Sequence, residues 1–496
     1  MNPRAMFAGD LIAERARITP DRLALVSVES GERLTYADFD QRCQVAANVL
    51  ATRNIQPGER YGILAHNSID FLAMFFAYAR TGAIAVPLST RATAHELSQI
   101  VSDCGMKVLF HGQEFSEIAQ HLPVPSHPLS PLPTAGDPLP RERAVDGEAV
   151  ACLLYTSGTT GRPKGVMIPG RQLLWNGYNT GLCWGLRDDD VSPIYTPLYH
   201  AGGIAAFLIP IFTTGGTIIL HKTFEAGEVW RTIEREACTV VLGVPTIWKM
   251  LMEEPAFASA DLRAVRWFIS GGAPLPQFLI EAYGRRGVVM KQGYGMTEVG
   301  VNCFTMTAEE AVRKAGSIGR PMMFTEVRLV SDGGEELGED VIGEMWIRGP
   351  HVSSGYWNNP EATAAAYDDQ GWFRTGDLAR SDGEGFFFIA GRRKEMFITG
   401  GVNVYPAEIE AELVSHPDVM DASVLAVPDR NWGEAGVAFV VGSVSEEILS
   451  AYLATRLARY KLPKRYVFLA TLPRTPYGKV EKETLRELLG QEGSLS

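Results

Sequence analysis

The sequence predicts an α/β fold divided into more than one unit, and three observations carry that expectation. Apolar periodicity switches repeatedly between helical and strand-like spacing over residues 33–110 and again over 204–275, the pattern of a mostly parallel sheet covered by helices. Short alternating runs separated by Asp-Gly-Gly and Gly-Glu-Asp follow over residues 316–350, as in a small antiparallel β subdomain. The 496 residues exceed what one compact core holds, so two or more domains are expected.

Taken in order, residues 36–51 are expected as a helix, 60–65 as a strand and 68–80 as a helix, and 83–88, 94–103 and 107–110 continue the alternation. Seven prolines over residues 121–140 exclude a helix interior or a central strand and mark a surface crossing. Residues 149–155 form an apolar strand, and 171–184 look helical before the broken apolar run SPIYTPLYHAGGI. In the second alternation each Gly/Pro break falls at the end of an expected strand. Ligands collect at that end of open α/β sheets, so the breaks point to one shared site. Near Gly391 clustered charges and a double glycine separate this region from a domain-sized tail of roughly 100 residues. The boundary is placed between Arg393 and Lys394, giving domains 1–393 and 394–496. The tail reads helix (407–415), strand (422–427), strand (437–441), helix (446–460) and strand (466–469).

Composition narrows the function classes. With 46 Lys and Arg against 58 Asp and Glu the formal net charge is −12, which disfavours nonspecific attraction to nucleic acid or anionic membrane. Cys43, Cys104, Cys152, Cys183, Cys238 and Cys303 are scattered, without the spacing of a metal site, and read as reduced thiols of a cytoplasmic protein. The N-terminus has no central apolar run, and nowhere do ~18 apolar residues follow one another, so neither a secretory signal nor a membrane span is expected.

The stretch LLYTSGTTGRPKG, residues 153–165, reads as a phosphate-gripping loop. Gly158 and Gly161 let backbone N–H groups turn toward an anion, Thr156, Ser157, Thr159 and Thr160 add hydroxyl donors, and Lys164 adds a point charge. It is not a Walker A loop, because the lysine follows proline and precedes glycine. A flexible linker is the bland reading, but such linkers rarely join two apolar runs. In KQGYGMTEVG, Tyr294 is suited to stack on a nucleobase and Glu298 to hold the Mg²⁺ that accompanies a triphosphate. Alone, that stretch reads better as a turn bearing an exposed glutamate. WFRTGDLA places Asp377 on a Gly-turn, where it could accept from two ribose hydroxyls. In LPRTPYGKVEK, Lys479 follows a Pro/Gly turn that presents it to a distant partner, although a lone turn lysine is usually just solvated.

The ordered set YTSGTTGRPKG, YTPLYHAGGI, SGGAPL, YGMTE, WFRTGDLA, GRRKEMFITGGVNVYPAEIE and PRTPYGKVEK resembles the adenylate-forming superfamily over roughly residues 35–485. Through VNVYPAEIE, PDRNWGEAGVAFVV and LARYKLPKR it looks most like bacterial fatty-acyl-CoA and related carboxylate–CoA ligases. The resemblance implies a large N-terminal domain of two α/β halves plus a β subdomain, and a small mobile C-terminal α+β lid. It implies ATP, Mg²⁺ and coenzyme A: a carboxylate attacks the α-phosphate of ATP to give acyl-AMP and pyrophosphate, and the CoA thiol then displaces AMP. The loop from Thr156 to Lys164 would hold the β and γ phosphates, with Thr159 and Glu298 placing Mg²⁺. Gly271, Gly272, Ala273 and Pro274 would flank adenine with Tyr294, in a wall continued by Gly295 and Met296. Thr297 would touch the α-phosphate, and Asp377 and Arg392 would hold ribose. Lys479 would bridge the substrate carboxylate and the α-phosphate. Lys394 occupies the hinge position, and Gly400 and Gly401 would leave room for the pantetheine arm. Trp432, Tyr460, Lys461 and Lys464 are candidates for the CoA nucleotide, with ordinary lid surface as the alternative. Pro169 and Gly170 stand where many relatives carry His or Ser, so any helper role there is absent.

The acyl pocket is expected from Tyr199, His200, Ala201, Gly202, Gly203, Val244, Gly271 and residues 296–303, among them Gly300 and Cys303. His200 is either a gate or a packed histidine. No Arg or Lys lies in these segments, which disfavours a small diacid. A medium- or long-chain fatty acid is the expected substrate. An aryl-CoA ligase for a benzoate-, cinnamate- or anthranilate-like acid and an acyl-AMP ligase loading a carrier protein are the alternatives. A luciferase-like oxygenase and a nonenzymatic nucleotide sensor rank below them, and a homodimer is left open.

Overall fold

The computed structural model describes residues 10–132, 146–156, 163–399, 402–430, 432–474 and 480–493. A six-stranded sheet runs in the order Ser126–Pro128, Val108–His111, Arg60–Leu64, Ile84–Pro87, Val150–Thr156, Lys164–Pro169. Its neighbours are parallel except the last pair, which is antiparallel. Strands buried on both faces read as continuous apolar runs, as in the four buried residues of Val108–His111 and of Ile84–Pro87. Among its described residues the proline-rich crossing contributes the edge strand Ser126–Pro128, where a missing N–H is tolerated.

The helices begin where side chains cap them. Thr35 with Asp38 and Thr93 with Glu96 form reciprocal capping boxes for Tyr36–Thr52 and Ala94–Cys104. The single helix expected over 68–80 is two, Ile69–Phe76 and Tyr78–Thr81. The buried Tyr61 hydroxyl donates to the Met74 carbonyl at 2.8 Å, and the Ala77 N–H also turns to that carbonyl, which tightens the ladder and breaks it there.

The second half holds a four-stranded sheet, Arg33–Thr35, Leu23–Ser27, Thr217–Leu220, Val191–Ile194, and a parallel three-stranded sheet, Val240–Gly243, Trp267–Ser270, Met290–Gln292. The sequence breaks at Val244–Pro245, Gly271–Gly272 and Gly293 all stand at the C-terminal ends of those three strands, side by side. Four antiparallel strands, Glu326–Val330, Gly343–Arg348, Phe373–Ser381 and Phe387–Arg392, make the β subdomain.

Sheet membership changes between Arg392 and Phe397. Beyond it, Phe397–Thr399, Val402–Val404, Val419–Asp429, Gly433–Gly442 and Arg465–Phe468 form a separate sheet. That unit has its own core, including Phe397, Ile409, Leu413, Val424, Ala438 and Leu449. The helix expected over 446–460 ends at Ala454, because the Thr455 hydroxyl turns back onto the Tyr452 carbonyl and the chain folds under to bury Leu457. The final helix, Lys482–Gly493, was not anticipated. Among the described residues no helix is long and apolar enough to cross a membrane.

Candidate nucleotide and acid site

The antiparallel pair Val150–Thr156 and Lys164–Pro169 sets Thr156 directly opposite Lys164. Ser157, Gly158, Thr159, Thr160 and Gly161 lie outside the described residues, so the structure fixes the two sides of the loop. A segment nearly two hundred residues later adds to this pair: the Met167 N–H donates to the Gly355 carbonyl, Ser354 N–H to Met167, and Trp357 N–H to Gly165. Tyr356 is thereby bridged to Val166, with its ring 5.2 Å from the Lys164 ammonium and its hydroxyl donating to Glu298 Oε1 at 3.0 Å. Lys164, Tyr356 and Glu298 therefore form one line. Glu298 is buried, not the exposed turn residue that its local sequence allows. Burial, followed by the Glu298 charge, pushes the Tyr356 phenol above its ordinary pKa, so it stays a donor. Sequence reasoning missed Tyr356, because its partners are set by a long-range strand addition.

The stretch after Met290–Gln292 is tightly folded. Val299 and Val301 both donate to the Met296 carbonyl, and Cys303 donates to Tyr294. Gly300 and Val301 have φ of 76° and 36°, a conformation a β-branched residue rarely adopts. A Cβ on Gly295 would collide with the Val301 backbone. Because that backbone is pinned by the bonds just named, Gly295→Ala is expected to cost about 3 kcal/mol. Urea unfolding of the variant checks this, and an unchanged midpoint would contradict it.

Tyr294, Asp377 and Arg392 meet as expected for a shared ribose and base site, but through their own contacts. The Tyr294 hydroxyl donates to Asp377 Oδ2 at 2.5 Å, and Arg392 Nε lies 2.6 Å from Asp377 Oδ1. Burial and then the Asp377 charge raise the Tyr294 phenol pKa, and its ring packs edge-on to Phe304 at 5.7 Å. Asp377 stands inside the strand Phe373–Ser381 opposite Arg392, not on a turn; Gly376, with φ 70°, sits where the register shifts against Gly343–Arg348. The glycine signals a strand irregularity here, which aims the carboxylate.

Gly271, Gly272, Ala273 and Pro274 leave the end of Trp267–Ser270, and the last three are exposed along the rim. A Cβ on Gly271 would meet nothing, and one on Gly272 would lie 3.6 Å from Val244. Behind this rim the Leu275 N–H donates to Gln292 Oε1.

The turn at His200–Ile204, expected in the acyl pocket, follows helix Gly170–Trp184 and the strand Val191–Ile194. Gly203 and Ile204 donate to the His200 carbonyl, and the His200 ring lies 5.3 Å from that of Tyr199. Residues Ile204–Leu208 form a π-helical turn, a device common at functional sites. A small cavity of about 10 Å³, too small for an acyl group, is lined by Ala201, Thr297, Gly300, Gln172 and Asn176 together with apolar side chains such as Leu154, Ile168 and Val301. Tyr199, His200, Gly202, Gly203, Val244, Gly271 and Cys303 do not line it, and neither does any Lys or Arg. Cys303 is fully buried, and its thiol is pushed up by burial alone.

In the C-terminal unit Thr399 pairs with both Val402 and Gly433, so the hairpin carrying Gly400 and Gly401 adjoins Trp432. Lys464 Nζ lies 4.9 Å over the Trp432 ring, whereas Lys461 is ion-paired to Glu408 at 2.6 Å and Tyr460 packs on the core. Lys394 follows Arg393, which is anchored to Glu344 and Asp332 of the β subdomain, and precedes Glu395, which holds Lys482 at 2.7 Å. Gly400, Gly401 and Lys479 lie outside the described residues.

Comparison with known proteins agrees with this geometry. The sequence profile of the AMP-binding enzyme family matches residues 12–357, and that of the AMP-binding enzyme C-terminal domain matches 408–479. The chain is 39% identical over 492 residues to a feruloyl-CoA synthase of Amycolatopsis sp, covering 97% of this chain and 99% of the relative. It is 38% identical to a long-chain-fatty-acid–CoA ligase of Mycobacterium tuberculosis, covering 97% and 98%. It superposes on ATP-bound MatB from Rhodopseudomonas palustris with a TM-score of 0.89 at 31% identity, covering 97% and 99%. The chain thus belongs to the AMP-binding enzyme family, in the acyl-CoA synthetase branch of the adenylate-forming superfamily.

Proposed function

We propose that the chain activates a carboxylic acid with ATP and passes the acyl group to coenzyme A, releasing AMP. The observation that carries this reading is the convergence of Lys164, Tyr356 and Glu298 on one side and Tyr294, Asp377 and Arg392 on the other. The first line suits a polyphosphate, offering a cation and a carboxylate in series. The second suits a ribose, because a carboxylate already oriented by two donors can accept from neighbouring hydroxyls. The rim at Gly271–Pro274 gives the base a flat wall with no side chain at Gly271. Glu298, oriented by Tyr356, and Thr159 would hold Mg²⁺. No cluster of three or more His, Cys, Asp or Glu converges among the described residues, and a Mg²⁺ that arrives with a triphosphate needs only one or two protein carboxylates, so the donor set fits. When bound, the ion offsets charge on the departing pyrophosphate.

The relatives' names include both an aryl and a long-chain acid, and an aryl acid fits this chain as well as a fatty acid does. The absence of Arg and Lys from the segments expected to form the acyl pocket disfavours a small diacid. Six free thiols, five of them buried, suit a cytoplasmic compartment. The test is AMP release from ATP across a panel of acids, with and without CoA. Stimulation by CoA is expected; stimulation only by an acyl-carrier protein would move the acceptor, and no AMP with any acid would sink the reading. Tyr356→Phe removes a donor to the buried Glu298 carboxylate. AMP release at limiting Mg²⁺ is expected to fall about tenfold and recover partly as Mg²⁺ rises. An unchanged Mg²⁺ dependence would detach Tyr356 from the ion's site.

A further inference from the structure

Thr297 and Glu298 stand on a single 3₁₀ turn, Thr297–Val299, closed by Gly300 in the left-handed region. So short a turn satisfies the Met296 carbonyl, which accepts from Val299 and Val301, and leaves its own three carbonyls to be met from elsewhere. Each is met from a different place. The Thr297 carbonyl accepts from Gln172 Nε2 at 2.9 Å, the Glu298 carbonyl from the Ser353 N–H at 2.7 Å, and the Val299 carbonyl from His351 Nδ1 at 2.6 Å. Two of these donors are side chains, and both are buried: His351 is 0% exposed and Gln172 2%.

The partners of His351 admit one arrangement. A backbone carbonyl only accepts, so the ring carries its proton on Nδ1 and leaves Nε2 as an acceptor. Nε2 meets the Thr325 hydroxyl at 2.8 Å, and that oxygen accepts in turn from Asn179 Nδ2 at 3.0 Å. Asn179 is held the right way round, because its own oxygen takes the Phe324 N–H at 3.2 Å. The donors therefore all point one way, from helix Gly170–Trp184 through Thr325 and His351 to the turn. Burial lowers the ring's pKa and keeps it neutral, as this line requires. The His351 backbone closes the same corner, since a Cβ on Gly300 would come within 2.7 Å of its carbonyl. Arg171 holds the segment on both sides of it, donating to the Pro350 and Val352 carbonyls.

We infer that His351 is a positioning residue for acyl-AMP formation, fixing the turn that carries Thr297 and Glu298 through its Nδ1–H bond to the Val299 carbonyl, with Gln172 as the second clamp. The inference rests on the ligase reading above and deepens it, by giving that site a supporting group with no exposed surface of its own.

The experiment compares His351→Asn with His351→Gln in two half-reactions, acid-dependent pyrophosphate release and thioester formation from supplied acyl-AMP. Asparagine puts an amide nitrogen as many bonds from Cα as Nδ1, and glutamine as many as Nε2. Only asparagine keeps a donor for Val299. In the glutamine variant kcat for pyrophosphate release is expected to fall about thirtyfold, because a misplacement of about 1 Å at aligned groups costs up to a hundredfold. Thioester formation is expected to stay within about threefold of wild type, since Glu298 and its ion would serve the departing pyrophosphate. The asparagine variant is expected to release pyrophosphate within about fivefold of wild type. A histidine that only fills space would lower both half-reactions together, or leave asparagine and glutamine alike, and either result overturns the inference. Gln172→Met removes the donor to Thr297 without touching His351; it carries the same expected split and decides the matter where neither His351 variant folds. If wild-type protein releases no pyrophosphate with any acid, the ligase reading fails and takes this one with it; if it does and the half-reactions do not part, only this one fails.

Discussion

Replacing Lys479 with alanine is expected to lower acyl-AMP formation by about a thousandfold while leaving thioester formation from supplied acyl-AMP within about threefold of wild type. Two anions, the substrate carboxylate and the α-phosphate, must approach each other in the first step, and a cation between them is worth on the order of 3–4 kcal/mol in a water-poor cleft. The resemblance of PRTPYGKVEK to the adenylate-forming superfamily implies that Lys479 of the C-terminal unit takes this bridging role. The flanks of Lys479 belong to that unit: Arg474 bridges to Val480, Leu472 and Leu485 lie in its core, and Lys482 is held by Glu395 and Glu410. On the proposed rotation of that unit, Lys479 is withdrawn after adenylation and the second step does without it. The two half-reactions, assayed separately by acid-dependent pyrophosphate release and by CoA-thioester yield, check this. Equal loss in both would remove the division of labour.

Gly401→Leu is expected to do the reverse, lowering thioester formation by about a hundredfold with acyl-AMP formation preserved. Thr399 and Val402 pair directly, so only two residues, both glycine, lie between the hairpin strands, and the neighbouring Gly433 brings Trp432 to the same corner. A branched side chain there would stand in the proposed path of the pantetheine arm. Full thioester synthesis by this variant would count against placing the thiol path at that hairpin. Together the two substitutions ask whether one small domain presents different faces to one cleft. The connection at residues 393–396 is where that rotation is proposed, with Arg393 fixed to Glu344 and Asp332 on one side and Glu395 fixed to Lys482 on the other.

Much of this was legible in the sequence wherever function leaves local marks. The glycine breaks expected at strand ends do fall side by side at the ends of Val240–Gly243, Trp267–Ser270 and Met290–Gln292, which a parallel sheet aligns. The convergence of Tyr294, Asp377 and Arg392 followed from motifs. What escaped depends on contacts distant in the chain. Tyr356 reaches Glu298 only because residues 354–357 add to Lys164–Pro169, which no local pattern announces. Gln172 and Asn176 read as parts of a helix, and that they are buried and donate to the Thr297 and Ala205 carbonyls depends on segments distant in the chain. Gly376 announced a turn and proved to be a strand irregularity, because glycine's freedom serves either. The hydroxyl of Tyr61, drawing on the Met74 carbonyl, split a helix whose periodicity alone ran unbroken.

The most direct test of the account is the exchange of labelled pyrophosphate into ATP by the purified wild-type protein, offered Mg²⁺ and a broad set of organic acids. Acid-dependent exchange without CoA is the predicted result, since adenylation is reversible and precedes any thiol. A folded protein that binds ATP yet shows no exchange with any acid would contradict the claim that this cleft joins a carboxylate to AMP.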